Sequence, residues 1–363
     1  MIEIDNNKVV DALRGIQDPD SGNDIISMKL IKDLKIDSPK ISFSVMAAGL
    51  KEVAKFQLHE NISTAILAIY PEAKLDVHFA KPQADARPLS QIKNIIAVAS
   101  GKGGVGKSTV STNLALGLQA LGAKVGLMDA DLYGPSIPTM LNIRDKKPVI
   151  KEMYGRHRIL PIEQYGLHTI SIGNIVDEEQ AVVLRGPRLG GIIKQFANEV
   201  VWPELDYLII DLPPGTGDIQ LTLVQTLPLT GAIIVTTPQQ VAVADAIKAM
   251  NMFRLDNIRV PIVGIVENMS WFTPHDMPDK RYRIFGKGGG KTMAKKAETI
   301  LLAQLPLFSE VREKSDIGQP IMLDETNPIR KYYLDMAKSA ATQIHVRNEL
   351  LPPTQIVGVN IQK

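Results

Sequence analysis

Asn94-Ile-Ile-Ala-Val-Ala-Ser100-Gly-Lys-Gly-Gly-Val-Gly-Lys-Ser-Thr109 is the stretch whose reading decides the fold. An apolar run, Asn94 to Ala99, breaks into a glycine-dense turn, and helical spacing follows over Asn113 to Leu121. The pattern GxxxxGK[ST] thus sits in its required context of strand, loop and helix. Glycines let the backbone wrap close to phosphate oxygens, and N–H groups at a helix start point at an anion that the helix dipole also favours. Lys107 adds a point charge for the β and γ phosphates. Ser108 supplies a hydroxyl for Mg2+, which prefers oxygen ligands and retains waters. The candidate nucleotide-binding residues are Gly101, Lys102, Gly103, Gly104, Val105, Gly106, Lys107, Ser108 and Thr109.

A second glycine loop, Gly286-Lys-Gly-Gly-Gly-Lys-Thr292, fails the same pattern. Five residues before Gly290 stands Phe285 rather than glycine, and no apolar strand precedes it. It reads as a loop opening a helix near Met293, still able to touch an anion.

Working outward, short apolar runs recur at Lys124 to Met128, Asp206 to Ile210, Ala232 to Thr236 and Pro261 to Val266, alternating with helical patterns. Near-continuous apolar strands belong in a parallel sheet covered by helices on both faces, whose ligands sit at the carboxyl ends of the strands. Two acidic clusters stand at such ends: Met128-Asp129-Ala130-Asp131, and Ile210-Asp211 running on to Asp218. Two carboxylate clusters beside one phosphate loop point to metal and water positioning.

Residues 1–80 read as a small α+β domain. A helix is expected near Lys8 to Leu13, strands around Ile25 to Ile36 and Lys40 to Met46, and a helix with Ile62, Ile66 and Ile69 on one stripe. Leu75 to Phe79 alternates as a strand, and Gln17 to Gly22 is dense in turn formers. Two prolines without apolar periodicity make 81–92 a linker; 93–350 is then the nucleotide-binding domain and 351–363 a C-terminal tail.

Composition narrows the classes. The chain has 363 residues, 45% hydrophobic and 22% charged, with a formal net charge of +2. That balance is globular, and nothing in the charge demands nucleic acid. The N-terminus lacks the pattern of a secretion signal and no apolar run is long enough to span a membrane, so the expected location is cytoplasmic, with neither membrane nor nucleic acid as partner. Cysteine is absent. Disulfides, thiolate nucleophiles and sulfur ligands for zinc or iron go with it.

Lys102 within Gly101-Lys-Gly-Gly-Val-Gly-Lys-Ser-Thr109 resembles the deviant phosphate loop of the division-site, partition and nitrogenase-reductase ATPases, whose signature lysine reaches the partner subunit's nucleotide. Three further segments, Asp129-Ala-Asp-Leu-Tyr-Gly-Pro-Ser136, Asp211-Leu-Pro-Pro-Gly-Thr-Gly-Asp218 and Glu267-Asn-Met-Ser270, resemble the Mrp/ApbC family of iron–sulfur cluster carriers. The N-terminal unit resembles the small cluster-assembly-associated domain often fused to bacterial members. The resemblance implies an α/β P-loop NTPase with a mainly parallel sheet flanked by helices, plus that small α+β domain. It implies an ATPase with ATP and Mg2+, working as a homodimer and passing iron–sulfur clusters to apoproteins or acting beside cluster-assembly proteins. By residue, Asp131 orients the attacking water, Asp211 holds Mg2+ through water, Asn268 meets the adenine, and Lys102 acts in trans, so that Lys107, Asp131 and Lys102 form the catalytic set.

The sequence departs from that family at one place. Many members carry a CxxC pair shortly after the Glu267–Ser270 segment; here the region reads Trp271-Phe-Thr-Pro-His-Asp-Met-Pro-Asp-Lys280. His275, Asp276 and Asp279 read as a solvated polar loop. Three functions follow as expectations: a cluster carrier, a cysteine-less ATPase helper of cluster assembly, or a positioning ATPase like the partition and MinD proteins. The proline-broken Leu351 to Val359 lacks the basic amphipathic helix of a membrane-targeting tail, and an electron-donating reductase needs cysteines of its own.

Overall fold

A computed structural model of the protein describes residues 4–18, 22–28, 30–46, 52–80, 89, 91–131, 134–153, 156–175, 186–274 and 276–352. Most of the expected linker, nearly all of the tail, and His275 lie outside the described residues. The chain divides into two units, Met1–Ser90 with Ile150–Arg158, and Gln91–Val149 with Ile159–Lys363. The inclusion of 150–158 in the first unit was not foreseen from the sequence.

Besides residues 150–158, the first unit comprises α1 (Asn6–Leu13), β1 (Ile31–Asp37), β2 (Lys40–Met46), α2 (Glu52–Ile69) and β3 (Lys74–Ala80). β1 and β2 pair antiparallel, and β3 joins parallel to β2. Asp5 caps α1, its carboxylate accepting from the Asn7 N–H at 2.7 Å. Alternation along β2 sends Ile41, Phe43 and Val45 to one face, where they meet Leu58, Ile62 and Ile66 of α2 in a core of their own.

Two sequence expectations shift here. The first strand starts at Ile31, not Ile25, because Asp24 turns the chain: its Oδ1 accepts from the Ile26 N–H at 2.7 Å and from the Ser27 N–H at 3.4 Å. The buried stripe of α2 runs Leu58, Ile62, Ile66 at spacings of four, and Ile69 is exposed.

The rest of the chain adds β4 (Ile92–Ser100), α3 (Lys107–Ala120), β5 (Val125–Asp129), α4 (Ile137–Met140), the paired strands β6 (Val149–Met153) and β7 (Arg156–Leu160), β8 (Ile162–Gln164), β9 (Leu167–Ser171), α5 (Gly186–Glu199) and β10 (Leu205–Asp211). Then come α6 (Asp218–Thr226), β11 (Gly231–Thr236), α7 (Gln240–Phe253), β12 (Ile262–Glu267), α8 (Gly289–Lys296), β13 (Leu301–Gln304), α9 (Ser309–Asp316) and α10 (Arg330–Leu350). Eight strands form one sheet in the order β13-β12-β11-β4-β10-β5-β9-β8, parallel except for the antiparallel edge strand β8. β4 and β10 are buried on both sides, as their Ile- and Val-rich sequences require. Val110, Leu114 and Leu118 of α3 and Tyr333, Ala337 and Ile344 of α10 share the core on the sheet's face. Among the described residues no helix is long and apolar enough to cross a membrane.

Sheet order decides where the chemistry can sit. β4 lies between β11 and β10, and β5 follows on the far side of β10. The loops after β4 and β11 therefore leave in opposite directions, which opens a crevice at the carboxyl ends of these strands. Register places Asp211 beside both Val98 and Asp129, so the two acidic clusters lie side by side next to the loop that follows β4.

Candidate functional site

The loop from Gly101 to Gly106 is shaped by two glycines for different reasons. At Gly101 an added Cβ would stand 2.1 Å from the Asp245 carbonyl carbon, so α7 backbone packs directly against the loop. Gly106 has φ +81, a left-handed conformation that side chains disfavour, and a Cβ there would meet the Asn268 amide nitrogen at 2.3 Å. α3 begins at the next residue, Lys107, with its free N–H groups facing the loop.

Lys107 is 6% exposed, and burial of an ammonium costs several kcal/mol unless it is paired. It is paired twice: its Nζ lies 2.7 Å from Asp211 Oδ2 and 3.4 Å from Asp131 Oδ2. Asp211 is fully buried and gathers donors on both oxygens. Ser108 Oγ donates to Oδ2 at 2.6 Å, and Ser111 Oγ donates to Oδ1 at 2.6 Å. Asp129 lies alongside, its Oδ1 accepting from the Asp131 N–H at 3.1 Å and its Oδ2 from Ser171 Oγ at 2.8 Å. Burial, reinforced by the neighbouring Asp211 charge, pushes Asp129 up to about 8. Burial thus favours its neutral form, and its Oδ1 supports the Asp131 backbone.

Lys102 is half-buried, and its ammonium has no ion-pair partner among the described residues; its carbonyl accepts from Ser100 Oγ at 3.0 Å. Asn268 follows β12 and donates from its amide to the Val105 carbonyl at 2.9 Å. The structure thus brings Lys107, Ser108, Asp131 and Asp211 into one network, places Asn268 against the loop, and leaves the Lys102 side chain apart from that network.

Four features were not read from the sequence. Ser111 stands four residues after Lys107 on α3, a spacing that puts both side chains on one face and was there to be used. Ser171 pairs in register with Asp129, but β9 itself was not foreseen. Gln220 of α6 reaches back to the Pro213 carbonyl and ties down the turn after β10. The fourth is the buried Glu267. The second glycine loop opens its helix at Gly289, not Met293, and the Gly290 N–H donates to Glu267 Oε2 at 2.6 Å. The anion at that helix start is the protein's own carboxylate, also bound by Ser270 Oγ and Gln304 Nε2.

Ser111 gives a direct test of the network. Ser111→Ala leaves a buried carboxylate oxygen short of a donor, a loss of about 1–3 kcal/mol of stability. Denaturant titration at neutral pH is expected to register it, and a midpoint equal to the parent's would show Oδ1 to be satisfied otherwise.

Residues 91–341 match the family model described as the NUBPL iron-transfer P-loop NTPase. The chain belongs to that family. Residues 6–71 of this NUBPL-family chain match a second model, described as iron–sulfur cluster assembly protein. An "Iron-sulfur cluster carrier protein" of Synechocystis is 41% identical over 323 residues, 87% of this chain and 91% of the relative. A nucleotide-binding protein from Archaeoglobus fulgidus, solved in complex with ADP, is 35% identical with a TM-score of 0.57, covering 68% of this chain and 94% of that one. The cell-division ATPase MinD of Pyrococcus furiosus is 21% identical with a TM-score of 0.50, covering 69% and 99%; that likeness shows the fold alone.

The residues present fit one inorganic group and not another. Ser108 and Asp211 supply hard oxygen donors beside the phosphate loop, the small protein share that Mg2+ takes when phosphates and waters complete its shell. A cluster has no such fit. The chain contains no cysteine, and among the described residues no group of three or more His, Cys, Asp or Glu is placed to hold a metal ion.

Proposed function

We propose that this NUBPL-family protein binds and hydrolyses ATP and uses that cycle in the transfer of iron–sulfur clusters to apoproteins, with the sulfur ligands of the cargo supplied by a partner protein or a small thiol. The observation that carries the nucleotide half is the buried Lys107–Asp211–Ser108 network at the mouth of the phosphate loop. Family membership carries the cargo half.

In the mechanism, Gly101 to Thr109 wrap the phosphates, and Ser108 with Asp211 would hold Mg2+, which neutralises phosphate charge when bound. Lys107 leaves its carboxylate partners for the β and γ oxygens. Asp131 orients a water in line with the γ phosphorus; the water oxygen bonds to phosphorus as the bridging bond breaks, ADP keeps the electron pair, and the water proton passes to Asp131 or solvent. Positioning and charge stabilisation account for the rate, with no covalent help required. Asn268, at the loop's edge, is assigned to the adenine.

Lys102 is assigned to a second copy of the chain. Its unpaired ammonium fits a role across a two-fold interface, where it meets the partner's phosphates only when both subunits close. Lys102→Ala is expected to keep its melting temperature and to bind nucleotide within about threefold of the parent, a change worth well under 1 kcal/mol. ATP-dependent dimer formation and turnover are expected to fall at least about tenfold, as for a charge supplied in trans. Sedimentation with a non-hydrolysable ATP analogue, run beside a phosphate-release assay, reads both; parental values in each would reduce Lys102 to a loop charge.

The overall reading is tested by incubating a thiol-ligated cluster donor and an apoprotein acceptor with the protein. Transfer should be faster with ATP than without, and Lys107→Ala should remove the difference. Equal rates in all three mixtures would reject the coupling.

A further inference from the structure

The segment Lys280–Lys296 holds seven lysines and arginines and no carboxylate, in a chain whose formal net charge is only +2. The other residues therefore sum to a net negative charge, and the positive charge is concentrated here. All seven cations are exposed, and none has an ion-pair partner among the described residues. Like charges at helical spacing destabilise a helix, so local folding does not explain them. Nor does the helix start need them, since Glu267 already occupies the Gly290 N–H.

The cations stand on a framed surface. Phe272 and Tyr282 exchange backbone hydrogen bonds of 2.8 Å, which close the arm that follows β12. The Arg281 guanidinium lies 4.9 Å over the Trp271 ring, and Trp271 meets Tyr332 of α10 edge-on. Lys291 and Lys295 are one turn apart on α8, and Lys287 precedes Lys291 by the same interval. Arg254, exposed at the end of α7, donates to the Lys296 carbonyl at 3.2 Å and adds a further cation. Within this basic segment Tyr282 is 47% and Ile284 60% exposed.

We propose that this face docks an acidic protein surface, with Tyr282 and Ile284 at the apolar centre and the lysines and arginines as a rim that meets carboxylates. Protein interfaces combine an aromatic, Met- and Arg-containing centre with a polar rim, and complementary charge steers encounter. A nucleic acid fits less well. Its phosphates would find the cations, but Tyr282 is the one exposed aromatic ring of the described segment 280–296, too few to stack successive bases, and the net negative remainder of the chain would repel a long polyanion. None of these cations belongs to the loop Gly101–Thr109, and none is assigned to the nucleotide.

The test uses the full chain and a fluorescent amphipathic peptide of alternating Glu and Leu, beside the same peptide with Lys for Glu, a 20-nucleotide single-stranded DNA and phosphatidylglycerol vesicles. Binding of the acidic peptide is expected, weakening as salt rises and at least about tenfold in K287E/K291E/K295E. Ile284→Ser should weaken it about threefold or more while leaving the basic rim intact. Unchanged melting and ATP turnover show that both variants are folded. No binding of the acidic peptide, equal binding of the basic one, or preferred binding of DNA or vesicles with no effect of Ile284→Ser would overturn the proposal.

Discussion

Lys107→Ala is expected to lower ATP turnover by roughly 10²–10³-fold, the effect of losing one preorganised charge worth about 3–4 kcal/mol in the transition state. The lysine strengthens its hold as charge develops on the transferred group, so kcat falls and not only affinity. A second consequence comes from the network itself. Removing the ammonium leaves the fully buried Asp211 with two hydroxyl donors and without the cation 2.7 Å from its Oδ2. Uncompensated buried charge is costly, so the variant should also lose stability unless a proton is taken up. The sign follows from linkage. The Lys107 charge is one of the influences that hold Asp129 down, so its loss pushes that buried carboxyl further above its unfolded value; the folded form then holds a proton that the unfolded chain releases, and stability falls as pH rises above the ordinary carboxylate range. Phosphate release under saturating ATP, with melting at pH 5 and pH 8, reads both effects. Turnover within about threefold of the parent, under 1 kcal/mol, would remove Lys107 from the catalytic set.

Anaerobic reconstitution with iron and sulfide is expected to leave no stable four-iron cluster on the purified protein. Sulfide-bridged iron favours thiolate ligands, and even the mixed histidine type keeps cysteines on one iron. This chain has no cysteine, and at the place where relatives of the Mrp/ApbC type carry CxxC it has Trp271-Phe-Thr-Pro-His-Asp-Met-Pro-Asp-Lys280. The arm is already committed elsewhere: Phe272 pairs with Tyr282, and Trp271 lies under Arg281. Dimerisation doubles the carboxylates and imidazoles without adding a thiolate. Iron and acid-labile sulfide should therefore stay well below one cluster per dimer after desalting into thiol-free buffer. The same mixture with a small thiol retained should hold more colour. A stoichiometric cluster surviving desalting would show that oxygen and nitrogen ligands suffice, and would return the protein to the role of scaffold.

Much of the second unit was legible in the sequence because its signals are local. The five apolar runs that announce β4, β5, β10, β11 and β12 are buried on both sides, so each reads without help from its neighbours. The phosphate loop was legible for a similar reason: spacing and glycine content within nine residues specify it. The edge strands β8 and β13 and their inner neighbour β9 were missed because they are short and draw definition from the strand beside them, as Ser171 does from Asp129. Polar partnership was the least legible layer. Ser111, Ser171 and Gly290 find carboxylates 100, 42 and 23 residues away, and only the folded sheet sets those meetings. In the first unit, Ile25 misled because its hydrophobicity is satisfied inside a turn as fully as in a strand; it is buried all the same.

The sheet's two margins limit how copies of this protein can join. One margin is β13, four residues long, and the other is β8, three residues long and entered through Pro161, which has no N–H to offer. Such stubs give a neighbouring chain little backbone to zip onto, the condition that keeps open sheets from polymerising. Assembly by continuing the sheet from one molecule into the next is thus disfavoured by geometry. Copies that meet through this unit are left with loops and side chains, contacts that come apart more readily than a shared ladder of backbone hydrogen bonds.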